Sequence, residues 1–181
     1  TQDELKRLEE KQIGISRLEQ VRDIFLFCCL TGLAYVDVAS LSTENIVEGK
    51  RGRQWLRKAR NKTNNMCNIP LLRPALRILE KYAEYRAATG RLLPVPSNQK
   101  MNAYVKELAT LCGVSKNLTT HCARHTFATT VTLANGASLE NVSKMLGHSS
   151  IRMTQHYAKI LNSSIERDMD KIESELIGED E

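Results

Sequence analysis

The stretch NIVEGKRGRQWLRKARNKTNNMCNIPL, residues 45–71, decides the fold class of this 181-residue chain. Short runs with apolar and β-branched residues are separated there by glycine-rich or asparagine-rich segments, which is typical of strands joined by tight turns. The predicted strands are Asn45–Val47, Gln54–Ala59 and Met66–Ile69. Because the connections between them are short, we expect the strands to pair as an antiparallel sheet.

Outside this stretch, apolar residues recur at helical spacing and helix start and stop signals divide the chain. One predicted helix begins near Thr1, the next covers Ser16 to Leu30, and a third ends near Gly90. Further helices are predicted from Ser97 to near Gly113, from Thr120 to Asn135 and from Ser138 to Leu146. A short helix is predicted to carry Tyr157, and the last helix to begin at Ser163. The predicted fold is therefore mainly α with a small three-stranded antiparallel sheet.

Charge is distributed unevenly along the chain. The net charge is +5, yet residues 166–181 hold eight acidic and two basic residues, which leaves +11 on residues 1–165. Residues 50–62 are the densest part, with seven basic residues of thirteen and none acidic. Such a charge favours a polyanionic partner, most simply nucleic acid, although a solvated hairpin is the alternative. The candidate DNA-binding residues are Lys50, Arg51, Arg53, Arg57 and Lys58.

The cysteines and the hydropathy pattern bear on location. The five cysteines include no CxxC pair, and an odd, scattered set is typical of reduced thiols in a cytoplasmic protein. No apolar run approaches the roughly 18 residues of a membrane helix, and the first residues do not resemble a signal peptide. We therefore expect a cytoplasmic protein without a membrane partner.

Two segments near the C-terminus hold residue types that suit phosphoryl transfer. They are HCARH at residues 121–125 and LGHSSIRMTQHY at residues 146–157. An arginine can grip two phosphate oxygens, histidines move protons or donate hydrogen bonds, and a phenol can act as a nucleophile. His121 and His125 also have metal-ligand spacing, but a zinc protease needs glutamate where Cys122 stands, and no third ligand is evident.

These motifs resemble those of the tyrosine recombinase, or phage-type integrase, family. The matching segments are HCARHTFATT, MLGHSSIRMTQHYAKI, TGLAYVDVASL and ARNKTNNMCNIPL, which together extend over nearly the whole chain. The TGLAYVDV segment is similar to one in integrases of Bacteroides-type conjugative transposons, which are mobile genetic elements. The resemblance implies the fold of a tyrosine recombinase catalytic domain.

The resemblance also implies a reaction and a role for each matched residue. Tyr157 would attack a DNA phosphodiester and give a 3′-phosphotyrosyl link with a free 5′-hydroxyl, before strand exchange and religation. Arg124 would clamp the phosphate, His148 would hydrogen-bond one of its oxygens, and His121 would accept the phenolic proton. Lys62 would be the general acid for the leaving 5′-oxygen. No nucleotide cofactor is implied, because the phosphotyrosine conserves the bond energy, and no metal is implied, because cationic side chains stabilise the charge.

One position departs from the family pattern. The family has an arginine directly after TGL, where this chain has Ala34. We predict that Arg60 replaces it, because Arg60 lies two residues before Lys62 and alternate residues of a strand share a face. Asp37 is expected to support the site by hydrogen bonds, and His125 is expected to be a packed histidine.

The resemblance implies an organisation and partners as well. Residues 1–181 would form a single catalytic domain without the N-terminal core-binding domain of the family. Residues 163–181 would form a C-terminal helix and acidic tail that is either exchanged between protomers or folded back on its own domain. The expected partner is double-stranded DNA with att-type sites, bound by a homotetramer, the isolated domain being a monomer. The alternatives are a type IB topoisomerase, a DNA-binding module weakened in catalysis by Ala34, and a helical protein-interaction domain.

Overall fold

A computed structural model describes residues 1–158, 169–170 and 172–174 of the chain. Within these residues the fold is mainly helical with one small sheet, as predicted. The helices are α1 Gln2–Glu10, α2 Ser16–Thr31, α3 Tyr35–Ala39, α4 Arg73–Lys81, α5 Ala83–Thr89, α6 Asn98–Leu111, α7 Thr120–Thr126, α8 Leu139–Met145 and α9 Arg152–Ala158. Most of the predicted segment 163–181 lies outside the described residues, and residues 169–170 and 172–174 are helical.

The three strands form an antiparallel sheet in the order β1-β2-β3. The strands are β1 Ile46–Glu48, β2 Gln54–Ala59 and β3 Met66–Pro70. Asn45, predicted to begin β1, instead ends a one-turn 3₁₀ helix, because its side chain accepts the backbone N–H of Ser42. Leu56 of β2 pairs with Ile46 and Ile69, and this face of the sheet packs on the helical core.

Helix α2 lies at the centre of the molecule and packs against α1, α4, α6 and α7. A helix that is apolar on all sides is buried on all sides. The second half of α2 has this composition, and Ile24, Phe25, Phe27 and Cys28 are each at most 2% exposed. The α2 helix therefore fixes the positions of the elements that surround it.

The helix predicted to end near Gly90 is two helices, α4 and α5, separated at Tyr82. The backbone of Tyr82 leaves helical geometry at φ −106° and ψ 25°, and its hydroxyl donates to the buried carboxylate of Asp23. Lys81 donates to the same carboxylate. The break in the helix thus coincides with the hydrogen bonds that Tyr82 and Lys81 donate to the buried Asp23. Because Asp23 lies far away in the sequence, no local pattern predicts these bonds.

The helix predicted from Thr120 to Asn135 is continuous but changes its winding. Helix α7 passes into a π-helical turn at Phe127–Thr132 and then into a 3₁₀ turn at Leu133–Asn135. The Thr132 hydroxyl donates to the carbonyl groups of Phe127 and Ala128 at 2.9 and 2.8 Å, where the winding widens. π-Helical turns occur often beside functional sites, and this one directly follows HCARH.

Candidate active site

Arg124 joins three elements in the middle of the site. Its side chain lies on α7 and is 5% exposed. One terminal nitrogen donates to the carbonyl of Gly32 at the end of α2, and the other to the carbonyl of Leu146 after α8, both at 2.6 Å. Gly32 has φ +69°, and a Cβ there would lie 2.5 Å from the ring of Phe127. Glycine thus permits both the turn and the close approach that place its carbonyl before Arg124.

The charge of Arg124 remains available for an anion. Burial and the positive charge of Arg60 lower the pKa of Arg124, while Tyr157 acts in the opposite direction. A guanidinium carries five N–H donors and stays charged in proteins, so three donors remain after the two carbonyl contacts. The buried group can therefore still hold a phosphate oxygen.

Arg60 lies at the end of β2 and enters the same region. Its side chain is 12% exposed, and its Nε is 3.8 Å from a carboxylate oxygen of Asp37. That distance is too long for a hydrogen bond, and within the described part of the chain this buried Nε has no hydrogen-bond partner. A Cβ on Gly147 would be 3.0 Å from Cδ of Arg60, so the absence of a side chain there allows the contact.

The turn after Arg60 is anchored to two other elements. The backbone N–H of Asn61 donates to Asp37 at 2.8 Å, and the Asn61 amide donates to the carbonyl of Val36 at 2.8 Å. The Asn65 amide donates to the carbonyl of Gly147 at 3.2 Å. Asp37 thus holds the turn that carries Lys62, and its supporting role in catalysis stays a prediction.

His148 is held between the Arg60 region and α9. Its Nδ1 is 2.8 Å from the hydroxyl of Thr154. Its ring is nearly parallel to that of Tyr157, with 7° between the planes and 6.3 Å between the centroids. Burial, followed by the charges of Arg124 and Arg60, lowers the pKa of His148 to about 4. His148 is therefore neutral near pH 7, and its ring stacks on that of Tyr157.

Tyr157 is 8% exposed on α9 and is surrounded by histidine rings. The His125 ring meets it edge-on at 5.0 Å between centroids, and the neighbouring His156 ring at 6.1 Å. Burial, then His121 and His156, lowers the pKa of His125. His125 is thus partly buried, and the ring that it contacts is that of the candidate nucleophile.

The sequence that carries this arrangement matches a known protein family. A family model described as the phage integrase family matches residues 1–163. The chain belongs to the phage integrase family.

Relatives of this integrase-family chain are tyrosine recombinases. Tyrosine recombinase XerD of Staphylococcus saprophyticus is 42% identical over 71 residues, which cover 39% of this chain and 24% of the relative. Tyrosine recombinase XerC of Pelobacter propionicus is 29% identical over 143 residues, 72% of this chain and 42% of the relative. The chain therefore spans less than half the length of either relative.

A solved structure has the same fold. The XerH site-specific recombinase bound to palindromic difH substrate superposes with a TM-score of 0.69 at 16% identity, over 95% of this chain and 51% of that chain. The helical body with a three-stranded antiparallel sheet is thus the catalytic-domain fold of the tyrosine recombinases.

Two further residues of the integrase motifs, His121 and Lys62, are exposed. His121 is exposed, one turn before Arg124, and lines a cleft with Ala34 and Tyr35. Lys62 is exposed in the turn beyond β2. The strand that was predicted to place Lys62 and Arg60 on one face therefore ends before Lys62. The predicted shared strand face is therefore wrong in detail, although Arg60 does point into the site.

The metal alternative concerned His121 and His125. In the described ranges, no group of three or more His, Cys, Asp or Glu side chains is arranged to hold a metal ion. No helix among the same residues is both long enough and apolar enough to cross a membrane.

The basic hairpin of the integrase domain is mostly solvent-exposed. Lys50 and Arg51 lie in a 3₁₀ turn between β1 and β2, and Arg53 follows it. These three side chains and Arg57 are exposed, while Lys58 is partly buried. Four of the five candidate DNA-binding residues are thus accessible to a polyanion.

Sequence reasoning missed four residues that shape the site. Asn65 and Gly147 connect the hairpin to the His148 turn, Thr154 contacts His148, and His156 packs on Tyr157. Thr154 was detectable in principle, since it precedes Tyr157 by three residues and so shares its helix face. The Asn65–Gly147 contact joins residues 82 positions apart, and no local pattern indicates it.

Proposed function

We propose that the chain is the catalytic domain of a site-specific DNA recombinase or integrase that breaks and rejoins DNA through Tyr157. The observation that supports the proposal is the set of side chains around the phenol of Tyr157. His148 and His125 pack against the phenol. The buried Arg124 and the partly buried Arg60 lie close enough to alter the pKa of neighbouring groups. Two cations beside a tyrosine suit a dianionic phosphorane-like transition state.

In the proposed reaction, the phenolic oxygen of Tyr157 attacks a DNA phosphorus in line with the 5′-oxygen. The new oxygen–phosphorus bond forms as the bond to the 5′-oxygen breaks, which leaves a 3′-phosphotyrosyl link and a 5′-hydroxyl. The attacking phenol must lose its proton to a base, and His121 is our candidate. Lys62 supplies the proton to the leaving oxygen.

The arginine pair holds the phosphate during this step. Arg124 keeps three unused N–H donors, and Arg60 has a buried Nε without a hydrogen-bond partner among the described residues. A non-bridging phosphate oxygen would satisfy that donor. Arg60 would thereby replace the arginine missing at Ala34, with Lys58 the next candidate. No nucleotide cofactor is required, because rejoining reverses the first step with a 5′-hydroxyl from another strand.

The proposed partner is double-stranded DNA with att-type sites. The structural neighbour XerH is named as bound to a palindromic DNA substrate, and the exposed basic hairpin of this chain suits the same class of ligand. We further propose a homotetramer on DNA, a monomer in isolation, and a cytoplasmic role in a Bacteroides-type conjugative transposon. These finer assignments follow from the TGLAYVDV resemblance and the charge of the chain.

The C-terminal segment, residues 163–181, is proposed to dock on protein. Its acidic residues would be repelled by phosphate, and its stripe of Ile165, Met169, Ile172 and Leu176 needs an apolar groove. Met169 and Ile172 are 57% and 47% exposed, so they are free to enter a neighbouring protomer. Truncation after Ser163 should abolish assembly of paired DNA sites, and unchanged assembly in native gels would contradict this role.

Covalent trapping tests the proposed chemistry. A nicked duplex that loses its 5′ fragment after cleavage should leave the protein attached to DNA on a denaturing gel. Tyr157→Phe should bind the duplex and form no adduct, whereas Tyr85→Phe, on α5, should form it at the wild-type rate. Adduct from Tyr157→Phe would refute the assignment. No adduct from the wild type would favour the DNA-binding module, and relaxation without exchange between paired sites would favour the topoisomerase.

A further inference from the structure

Thr154 occupies an unusual place beside the candidate site. It is 0% exposed, and it lies on α9 three residues before Tyr157, on the same face of the helix. A helical threonine commonly donates its hydroxyl proton to the carbonyl four residues earlier. Here the hydroxyl instead meets Nδ1 of His148 at 2.8 Å, and in the part of the chain that the structure describes it has no other hydrogen-bond partner.

The direction of this hydrogen bond follows from the available protons. If Nδ1 carried the imidazole proton, it would donate to the hydroxyl oxygen, and the hydroxyl proton would be buried without an acceptor. A buried unsatisfied donor is unfavourable. If the hydroxyl donates to Nδ1 instead, the hydroxyl proton and the Nδ1 lone pair satisfy each other, and the imidazole proton resides on Nε2.

The tautomer matters because a phosphate oxygen accepts hydrogen bonds and does not donate them. A neutral imidazole with its proton on Nε2 offers a donor at the ring nitrogen that Thr154 leaves free. With the proton on Nδ1, the same nitrogen would present a lone pair to an anion. Burial and the nearby charges of Arg124 and Arg60 keep His148 neutral, so the second donor of an imidazolium is not there to compensate.

We propose that Thr154 is a positioning residue that fixes the tautomer of His148, so that His148 donates a hydrogen bond from Nε2 to the scissile phosphate. The inference rests on the proposed function, in which His148 contacts a phosphate oxygen. It adds that the helix carrying the nucleophile also sets the protonation of the neighbouring histidine. A shift of α9 would then change the nucleophile and its hydrogen-bond donor together.

Two substitutions separate this role from simple packing. Thr154→Val keeps the shape of the side chain and removes the hydroxyl, whereas Thr154→Ser keeps the hydroxyl and removes the methyl group. If Thr154 only fills space, the valine variant should be the more active one. If it fixes the tautomer, the serine variant should be the more active one. Thermal unfolding identifies any variant that fails to fold, and the serine variant still decides if valine is not tolerated.

Two measurements report the result, and they fail independently. Nitrogen-15 NMR of the imidazole ring, with the spectrum of His148 assigned by His148→Asn, should give a proton on Nε2 in the wild type and Thr154→Ser. Thr154→Val should give a mixture or a proton on Nδ1. In single-turnover trapping with the nicked duplex, Thr154→Val should slow adduct formation on the order of 10- to 100-fold at unchanged DNA affinity, as losses of outer hydrogen-bond partners of histidine do.

The outcomes that would overturn the proposal are distinct from failure of the proposed function. A wild-type spectrum with the proton on Nδ1, or a valine variant that keeps the wild-type tautomer and cleavage rate, rejects the role of Thr154. A serine variant slower than the valine variant rejects it as well. If the wild type forms no adduct at all, the proposed chemistry fails, while the NMR spectra still decide which ring nitrogen of His148 carries the proton.

Discussion

At the scale of single residues, the main feature of the site is that the charges of its two arginines, Arg124 and Arg60, are not neutralised by close acidic partners. Arg124 donates two hydrogen bonds to backbone carbonyls, and Nε of Arg60 is 3.8 Å from the nearest carboxylate oxygen of Asp37. The two positively charged guanidinium groups repel each other, and burial makes their charged forms still less favourable. An arrangement of this kind is typical of a site prepared for an anion, because the ligand supplies the missing negative charge.

Substitution of Arg60 tests whether it replaces the absent arginine. Arg60→Ala should slow adduct formation on the order of 10²- to 10³-fold, as loss of a transition-state donor does. Arg57→Ala is the matched control, since Arg57 is exposed on the opposite face of the same strand and should mainly weaken DNA binding. Single-turnover trapping gives both rates.

A second substitution extends that test. Ala34→Arg in the Arg60→Ala background should restore part of the rate if the two side chains reach the same phosphate oxygens. Cleavage by Arg60→Ala at the wild-type rate would contradict the assignment, and Lys58 would then be the cation to replace.

Acid should destabilise the fold through His148. Its pKa is lowered to about 4 from 6.5 by burial and by Arg124 and Arg60. The unfolded chain therefore binds a proton near pH 6.5, while the folded chain resists protonation down to about pH 4. The free energy of unfolding should fall as the pH decreases through this window, because the unfolded state binds more protons. Urea unfolding between pH 6.5 and pH 4 should show a smaller loss of unfolding free energy for His148→Asn than for the wild type. An equal loss would mean that other groups cause the acid sensitivity.

At the scale of elements, turns and helix ends position the functional groups more than the helices do. The α2 end supplies a carbonyl to Arg124, the α8 end supplies another, and the β2–β3 turn is tied to α3 by Asn61 and to Gly147 by Asn65. The sequence predicted these elements well, including both ends of β2. It did not predict the ties, because each joins residues far apart in the chain.

Gly32 provides a test of this arrangement. Gly32→Ala should destabilise the fold by the left-handed backbone strain of about 1–2 kcal/mol, and by roughly 1–3 kcal/mol more from overpacking against Phe127 and Leu146. Gly90→Ala is the matched control, since Gly90 has the same φ of +69° at a helix end with nothing within 4 Å of an added Cβ. Urea unfolding measures both. Equal losses would mean that Phe127 and Leu146 move aside without cost.

At the scale of the whole molecule, the separation of charge organises binding. The body carries +11 and the last sixteen residues carry −6, so one part of the chain attracts phosphate and the other repels it. Long-range attraction of this kind steers a protein to DNA without determining the sequence it selects.

The salt dependence of binding measures how many phosphates the body neutralises. The logarithm of affinity should fall with the logarithm of salt concentration by about 0.9 for each phosphate contacted. Replacing Lys50, Arg51 and Arg53 together by glutamine should reduce that slope, whereas Lys6→Gln, on α1, should leave it unchanged. Fluorescence anisotropy with a labelled duplex gives the slopes. An unaltered slope in the triple variant would remove the hairpin from the DNA interface.

The sequence by itself determined the fold class, the family and the residue types of the site. Apolar periodicity and turn residues are local properties, and HCARH with Tyr157 is a motif of few residues with fixed spacing, so both can be recognised without coordinates. Only the tertiary structure decided that Arg60 is buried beside Gly147, that His125 packs on Tyr157, and that Thr154 bonds His148. These contacts depend on how separate elements pack, and the free energies that select them arise from burial and hydrogen bonding between distant parts of the chain.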